Sequence, residues 1–165
     1  MTTQKIDVLI AEDDPAELQL LRIAMKLAGL TPLLNKTLAY NGLEAIEAME
    51  ETTGKMPFDL LLLDLNMPKV RGKQVLEYLK QSQIKLPLVI ILSNSDSKKD
   101  IEDCFRLGAD GYLVKPADFD DLISFCKAIK VCLEKYGAVS VESIHAHYES
   151  LKINPQLPKP YGVTA

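Results

Sequence analysis

Five short runs rich in aliphatic and β-branched residues alternate with five stretches of helical periodicity. That alternation leaves few options beyond βαβ units around a parallel sheet. The runs are KIDVLIA (5–11), TPLLNKT (31–37), FDLLLLD (58–64), LPLVIILS (86–93) and ADGYLVKP (109–116). The leucines at 60–63 leave no polar face, which is the pattern of a strand covered on both sides. Helices are expected over 13–29, where Pro15 suits a first turn and Gly29 a stop, and over 41–54, 71–82, 96–108 and 118–137. Leu18, Leu21, Met25 and Ala28 share one face of the first helix, and Leu122, Phe125, Ile129 and Leu133 form one stripe of the fifth. A chain of 165 residues accommodates one ordinary domain. We place that domain at 1–137 and read 138–165, with its three prolines and little periodicity after Leu151, as an extension holding one short helix and a flexible tail.

Several function classes are disfavoured. The net charge of −4 and the absence of a Lys/Arg cluster argue against nucleic acid as a partner. No apolar run approaches the length needed to span a bilayer, so no membrane insertion is expected. The start, MTTQKIDVLIAEDDP, lacks the zones of a signal peptide, and a cytoplasmic location is expected. Cys104, Cys126 and Cys132 form no CxxC pattern and read as reduced packing residues. His145 and His147 have no third ligand at helical spacing and are not read as a metal site.

Asp64 ends the most apolar run, where an unpaired charge is costly. The partners come from other strand ends, because an open parallel sheet gathers functional groups at the carboxyl ends of its strands. The first run ends at Glu12, Asp13 and Asp14, the fourth at Ser93 and Asn94, and the fifth at Lys115. Lys115 can pair with Asp64, and the acids can share a metal ion with it. Hard oxygen ligands with no His or Cys beside them favour Mg²⁺, with Mn²⁺ as an option. The chemistry that suits this set is phosphoryl transfer: a carboxylate nucleophile, a metal and an ammonium spreading charge, and a hydroxyl on the remaining oxygen.

VLIAEDDP, LLLLDLNMPKVRG, VIILSNS and GADGYLVKP, in that order and on those strand ends, resemble the receiver domain of two-component response regulators over about residues 5–136. The resemblance implies a doubly wound (βα)5 flavodoxin-like sandwich with a five-stranded parallel sheet in the order 2-1-3-4-5. It implies Asp64 as phospho-acceptor, Asp13 as a direct Mg²⁺ ligand and Glu12 as one acting through water. Asn66 would offer its main-chain carbonyl to the metal. Ser93 takes the place of the switch hydroxyl, Lys115 that of the family's lysine, and Tyr112 that of an aromatic that buries when phosphate draws Ser93 inward. Asp14 is left as the cap of the first helix, and Lys115–Pro116 is expected to be cis as in the family. Two positions depart from the pattern: Arg71 stands where an acid is usual and Val70 where methionine is usual, which alters surface charge near the docking loop and packing more than the chemistry.

The stretch from Ser93 to Leu122 is also similar to the stand-alone regulators of phytochrome-type sensor kinases. The function implied is a single-domain response regulator, taking a phosphoryl group from a sensor histidine kinase or histidine phosphotransfer protein. Its output would be protein contact or a homodimer through the face of the fourth helix, fifth strand and fifth helix. Beyond self-phosphorylation and autodephosphorylation it would not be an enzyme. The alternatives are a receiver-shaped interaction module that is never phosphorylated and a flavodoxin-like cofactor-binding protein. AEDDP after the first strand weighs against the second, since it would repel phosphate unless a metal intervened.

Overall fold

The computed structural model describes residues 4–50, 56–82 and 86–156. Strands β1 (Ile6–Ala11), β2 (Leu34–Ala39), β3 (Leu60–Leu63), β4 (Leu88–Ser93) and β5 (Gly111–Val114) alternate with helices α1 (Pro15–Leu27), α2 (Gly42–Glu50), α3 (Gly72–Gln81), α4 (Lys98–Arg106) and α5 (Phe119–Tyr136). These five strands run parallel in the order 2-1-3-4-5, as the resemblance implies. The second strand begins later than expected, because Thr31–Leu33 wind into a 3₁₀ turn with Pro32 in its first positions. The expected end of the second helix near Gly54 lies outside the described residues.

The leucine run explains itself in the core. Successive side chains on a strand point to opposite faces. Leu60 and Leu62 therefore pack with Leu18, Leu21, Met25, Phe125 and Ile129 under α1 and α5. Leu61 and Leu63 pack with Met49, Val75, Leu76 and Leu79 under α2 and α3. Both faces being covered, no position in the run tolerates a polar residue. Cys104, Cys126 and Cys132 are free and buried, consistent with packing roles.

The extension departs from expectation. Its short helix is present as α6 (Val141–His147), but it is followed by a further strand, β6 (Lys152–Ile153), which pairs antiparallel with Gly111 and Tyr112 of β5. The sheet therefore has six strands in the order 2-1-3-4-5-6. Two residues are too short for strand periodicity to be legible in sequence. Val141, Ile144 and Leu151 join the core beneath α5, and Tyr148 packs edge-on against Phe125 with ring centroids 5.7 Å apart. His145 Nδ1 donates to the Leu151 carbonyl at 2.9 Å and closes the turn into β6, so this histidine serves the fold. The expected flexible tail, from residue 157 on, lies outside the described residues.

Asp110, just before β5, accepts the Val89 N–H at 2.7 Å. Burial pushes its carboxyl up to about 6, with that hydrogen bond working against the rise and the charge of Glu142 adding to it. A raised carboxyl binds its proton more tightly folded than unfolded, so stability is greatest below the unfolded value of 3.8 and falls as pH climbs through about 6. Asp110→Asn, which keeps an acceptor for Val89, is expected to gain about 2 kcal/mol relative to wild type between about pH 4 and about pH 7.5. Urea midpoints at the two pH values test it; parallel profiles for the two proteins would show that Asp110 is not the group responsible.

Candidate functional site

The sheet order reverses between β1 and β3, and there the two strands run side by side with Ala11 opposite Leu63. One more ladder bond continues past each strand: Asp64 N–H donates to Ala11 O and Glu12 N–H to Ala39 O, both at 3.0 Å. That continuation fixes Glu12 and Asp64 as neighbours. Lys115 leaves β5 after its N–H donates to Ser93 O at 2.7 Å, and its side chain reaches back across β4.

Glu12, Asp13 and Asp64 each offer one carboxylate oxygen, and these lie within 4.8 Å of one another. The set is all oxygen, and it is the hard donor chemistry that suits a divalent cation such as Mg²⁺. Glu12 and Asp64 are 6% and 7% exposed, so two carboxylates stand almost out of water. Burial holds both carboxyls above their ordinary values, and the nearby Lys115 ammonium works against the rise in each. For Lys115, burial favours the neutral amine, yet its hydrogen bond to Glu12 and the charges of Asp64, Glu12 and Glu17 outweigh that and keep it strongly basic. An excess of buried negative charge beside one ammonium is stabilised by a further cation.

The expected pairing of Lys115 with Asp64 is present at 4.0 Å, but a closer partner accompanies it. Lys115 Nζ donates to Glu12 Oε2 at 2.7 Å, while Asp64 Oδ1 is at 4.0 Å. The short contact goes to the residue with the longer side chain. Asp64 Oδ1 is then left facing the cleft, with the Asn66 N–H at 3.5 Å. Glu17, one turn into α1, is a second carboxylate on Lys115 at 3.7 Å. Sequence reasoning missed it, although its place in the first turn after the acidic loop was the available signal. Asp14 is the expected cap: its Oδ1 accepts the N–H groups of Ala16 at 2.8 Å and Glu17 at 3.4 Å. Lys115–Pro116 is not cis as expected; the described residues contain no cis peptide bond, and trans is the form X–Pro bonds ordinarily favour.

Asp64, Glu12, Asp13, Asn66, Asn94 and Lys115 line a cleft of about 200 Å³. Ser93 and Tyr112 do not line it. Ser93 is fully buried, and its Oγ accepts the Ser95 N–H at 3.1 Å. Tyr112 is fully buried as well, its hydroxyl donating to the Ser95 carbonyl at 2.7 Å. The expectation made burial of this ring a response to phosphate; here the ring already fills the core space over Cys104. Ser95 joins both side chains, and sequence reasoning gave it no role because SNSDS offers several equivalent hydroxyls.

Two glycines let the loop after β3 close on its neighbours. A Cβ on Gly72 would lie 2.5 Å from Asp64 O, and one on Gly42 would collide with Val70 O. The loop after β3 is thus pressed against the starts of α2 and α3, with Lys69 held at φ 65° at its turn.

Residues 8–127 match the family described as response regulator receiver domain. The transcriptional regulatory protein ZraR of Escherichia coli (strain K12) is 32% identical over 122 residues, which cover 74% of this chain and 26% of that protein. This chain therefore spans about a quarter of that relative. Among solved structures, the phosphorylated cyanobacterial phytochrome response regulator RcpA superposes with a TM-score of 0.68 at 28% identity, over 79% of this chain and 95% of that one. The Mn²⁺-bound form of response regulator Rcp1 gives a TM-score of 0.67 at 25% identity, over 79% of this chain and 96% of that one.

Proposed function

This chain belongs to the response regulator receiver domain family, and from that premise we propose that it is a response regulator receiver whose Asp64 accepts a phosphoryl group. The observation that carries the reading is the juxtaposition of Glu12, Asp13 and Asp64 within 4.8 Å, with the Lys115 ammonium in the same cleft. An Asp64 carboxylate oxygen attacks phosphorus, forming an O–P bond as the bond from phosphorus to the donor breaks. The leaving group is the imidazole of a phosphohistidine, or the carboxylate of a small acyl phosphate. A Mg²⁺ ion held by Asp13 and Asp64, with Glu12 through water and the Asn66 carbonyl, would neutralise charge on the transferring oxygens; that the similar response regulator Rcp1 has a Mn²⁺-bound form supports this.

Lys115 supplies the other positive charge on the transferring group. It already lies 4.0 Å from Asp64, so a small swing away from Glu12 brings it into hydrogen-bond reach. Ser93, buried and outside the cleft here, would turn its hydroxyl to donate to a further phosphoryl oxygen, and the change in its contact with the Ser95 N–H would pass the event to Ser95. Asn66, exposed at the rim, stands beside the route by which water would return to hydrolyse the aspartyl phosphate. Phosphoryl uptake and hydrolysis are the two reactions this cleft supports, and protein contact is the output we propose for them.

The sensor histidine kinases or histidine phosphotransfer proteins that serve phytochrome-type systems are the partner class favoured by the likeness to RcpA. A second protein target, or a second copy, would meet the surface of α4, β5 and α5, which in this chain includes the added α6 and β6. No described helix is long and apolar enough to cross a membrane, and we place the protein in the cytoplasm with its kinase's catalytic part.

The test is intact mass after incubation with acetyl phosphate, with and without Mg²⁺. The expected result is an adduct of one phosphoryl group that requires Mg²⁺ and maps to the peptide carrying residues 60–66. A protein that gains no mass, and whose residues 60–66 keep the same hydrogen exchange in beryllofluoride, would be a receiver-shaped binding module instead.

A further inference from the structure

Among the described helices around the sheet, α4 has the fewest buried residues: Cys104 alone of its nine is buried, with Ile101 and Phe105 half-buried against the core. An element with so little buried apolar surface moves at low free-energy cost. Polar ties hold it instead, at both ends. Near its start, Ser95 Oγ donates to Asp100 Oδ2 at 2.6 Å, and Lys73 of α3 donates to Asp100 Oδ1 at 2.8 Å and Asp103 Oδ2 at 3.1 Å. At its end, the Asn154 amide donates to Phe105 O at 2.9 Å and Ala109 O at 2.7 Å. The last carbonyls of a helix have no intrahelical partner; Phe105 O accepts the Gly108 N–H at 3.1 Å, and the Asn154 side chain adds a second donor to it. Asn154 is 4% exposed and fully engaged: its N–H donates to Asp110 O at 3.0 Å and its Oδ1 accepts the Gln156 N–H at 2.9 Å.

The two ends connect different things. Ser95 touches Ser93 and Tyr112 through its backbone and α4 through its side chain, so movement at Ser93 is passed to Asp100. Asn154 fastens the other end of the same helix to β6. A helix tied by side chains at both ends and weakly packed between them transmits a displacement as a rigid body.

We propose that α4 is a lever that carries the state of the Asp64 site to the chain's own extension, loosening the docking of β6 through Asn154 when Ser93 and Ser95 rearrange. The inference rests on the phosphoryl-acceptor reading above and adds its internal recipient, residues 151–156. Coupling between sites is reciprocal, so cutting the Asn154 ties must also favour the rearranged site.

Hydrogen exchange measured by mass spectrometry on the full chain, with and without beryllofluoride and Mg²⁺, tests this. In wild type, protection should rise over 60–66 and fall by about threefold or more over 151–156. Asn154→Ala should exchange quickly over 151–156 in both conditions and bind beryllofluoride about fivefold more tightly. A merely structural Asn154 would lower stability and leave that affinity unchanged, which overturns the lever. A response at 60–66 that stops short of 151–156 overturns the lever and leaves the phosphoryl reading standing. No response at 60–66 overturns both. Should Asn154→Ala fail to fold, the wild-type comparison alone decides, and Lys73→Gln, which cuts the opposite anchor, is expected to reduce the response over 151–156.

Discussion

Asp64→Asn is expected to abolish phosphoryl uptake from acetyl phosphate while leaving the fold as stable as wild type or more so. The two halves have one cause. Asparagine keeps the shape of the side chain and an oxygen to accept the Asn66 N–H, but it has no anionic oxygen to attack phosphorus. It also removes one of two carboxylates that are nearly buried and held above their ordinary values by desolvation. Relieving a buried charge whose ammonium partner stands 4.0 Å away and whose nearer side-chain partner is a second carboxylate, Glu12, stabilises a protein, by about 1 kcal/mol or more when the group was poorly paired. Lys115 keeps its short contact to Glu12, so the substitution does not strand the ammonium. Intact mass should show no adduct, a loss of at least about a thousandfold in rate, with a urea midpoint equal to or above that of wild type. An adduct of undiminished amount on the variant would place the acceptor elsewhere, with Asp13 the next carboxylate in the cleft.

How far such a site could be read from sequence depended on what set each residue's place. The ends of β1, β3 and β5 were legible because their apolar runs stop abruptly at charged residues, and parallel pairing then carries those ends to one rim. The leucines of β3 fix a strand covered on both faces without any need to know its neighbours. Pairing choices within the rim were not legible. Whether Lys115 bonds Glu12 or Asp64 turns on side-chain length and strand offset, differences of about an ångström that no spacing encodes. The strand within the extension was missed for another reason. Its two-residue strand is defined by what it pairs with, and Asn154 earns its place through carbonyls 45 and 49 residues upstream. Val141 and Leu151 can approach β5 so closely because Gly111 has no side chain there, a long-range complementarity invisible in either segment alone.

Gly72→Ala separates local propensity from this kind of long-range constraint, because the two predict opposite signs. Gly72 is the first residue of α3, and helix propensity alone would favour alanine there by up to about 1 kcal/mol. The added methyl, however, would lie 2.5 Å from Asp64 O, 2.7 Å from Leu65 Cα and 3.2 Å from Asp64 C. All three are backbone atoms, so no rotamer change can make room; either α3 or the loop after β3 must shift. The Gly72 N–H also donates to Leu65 O at 3.0 Å, and a shift large enough to relieve the clash stretches that bond. Overpacking against backbone outweighs the propensity gain, and a net destabilisation of about 2–4 kcal/mol is expected from the urea midpoint. Two of the three atoms belong to the acceptor residue and the third to the residue after it, so the carboxylate moves with respect to Glu12, Asp13 and Lys115. A displacement approaching an ångström at a reacting centre costs about a hundredfold in rate. Phosphoryl uptake measured where the variant is still folded should therefore fall well beyond what the lost stability explains. A variant as stable and as reactive as wild type would mean that the loop yields freely, and that the close approach of α3 to Asp64 does not position the acceptor.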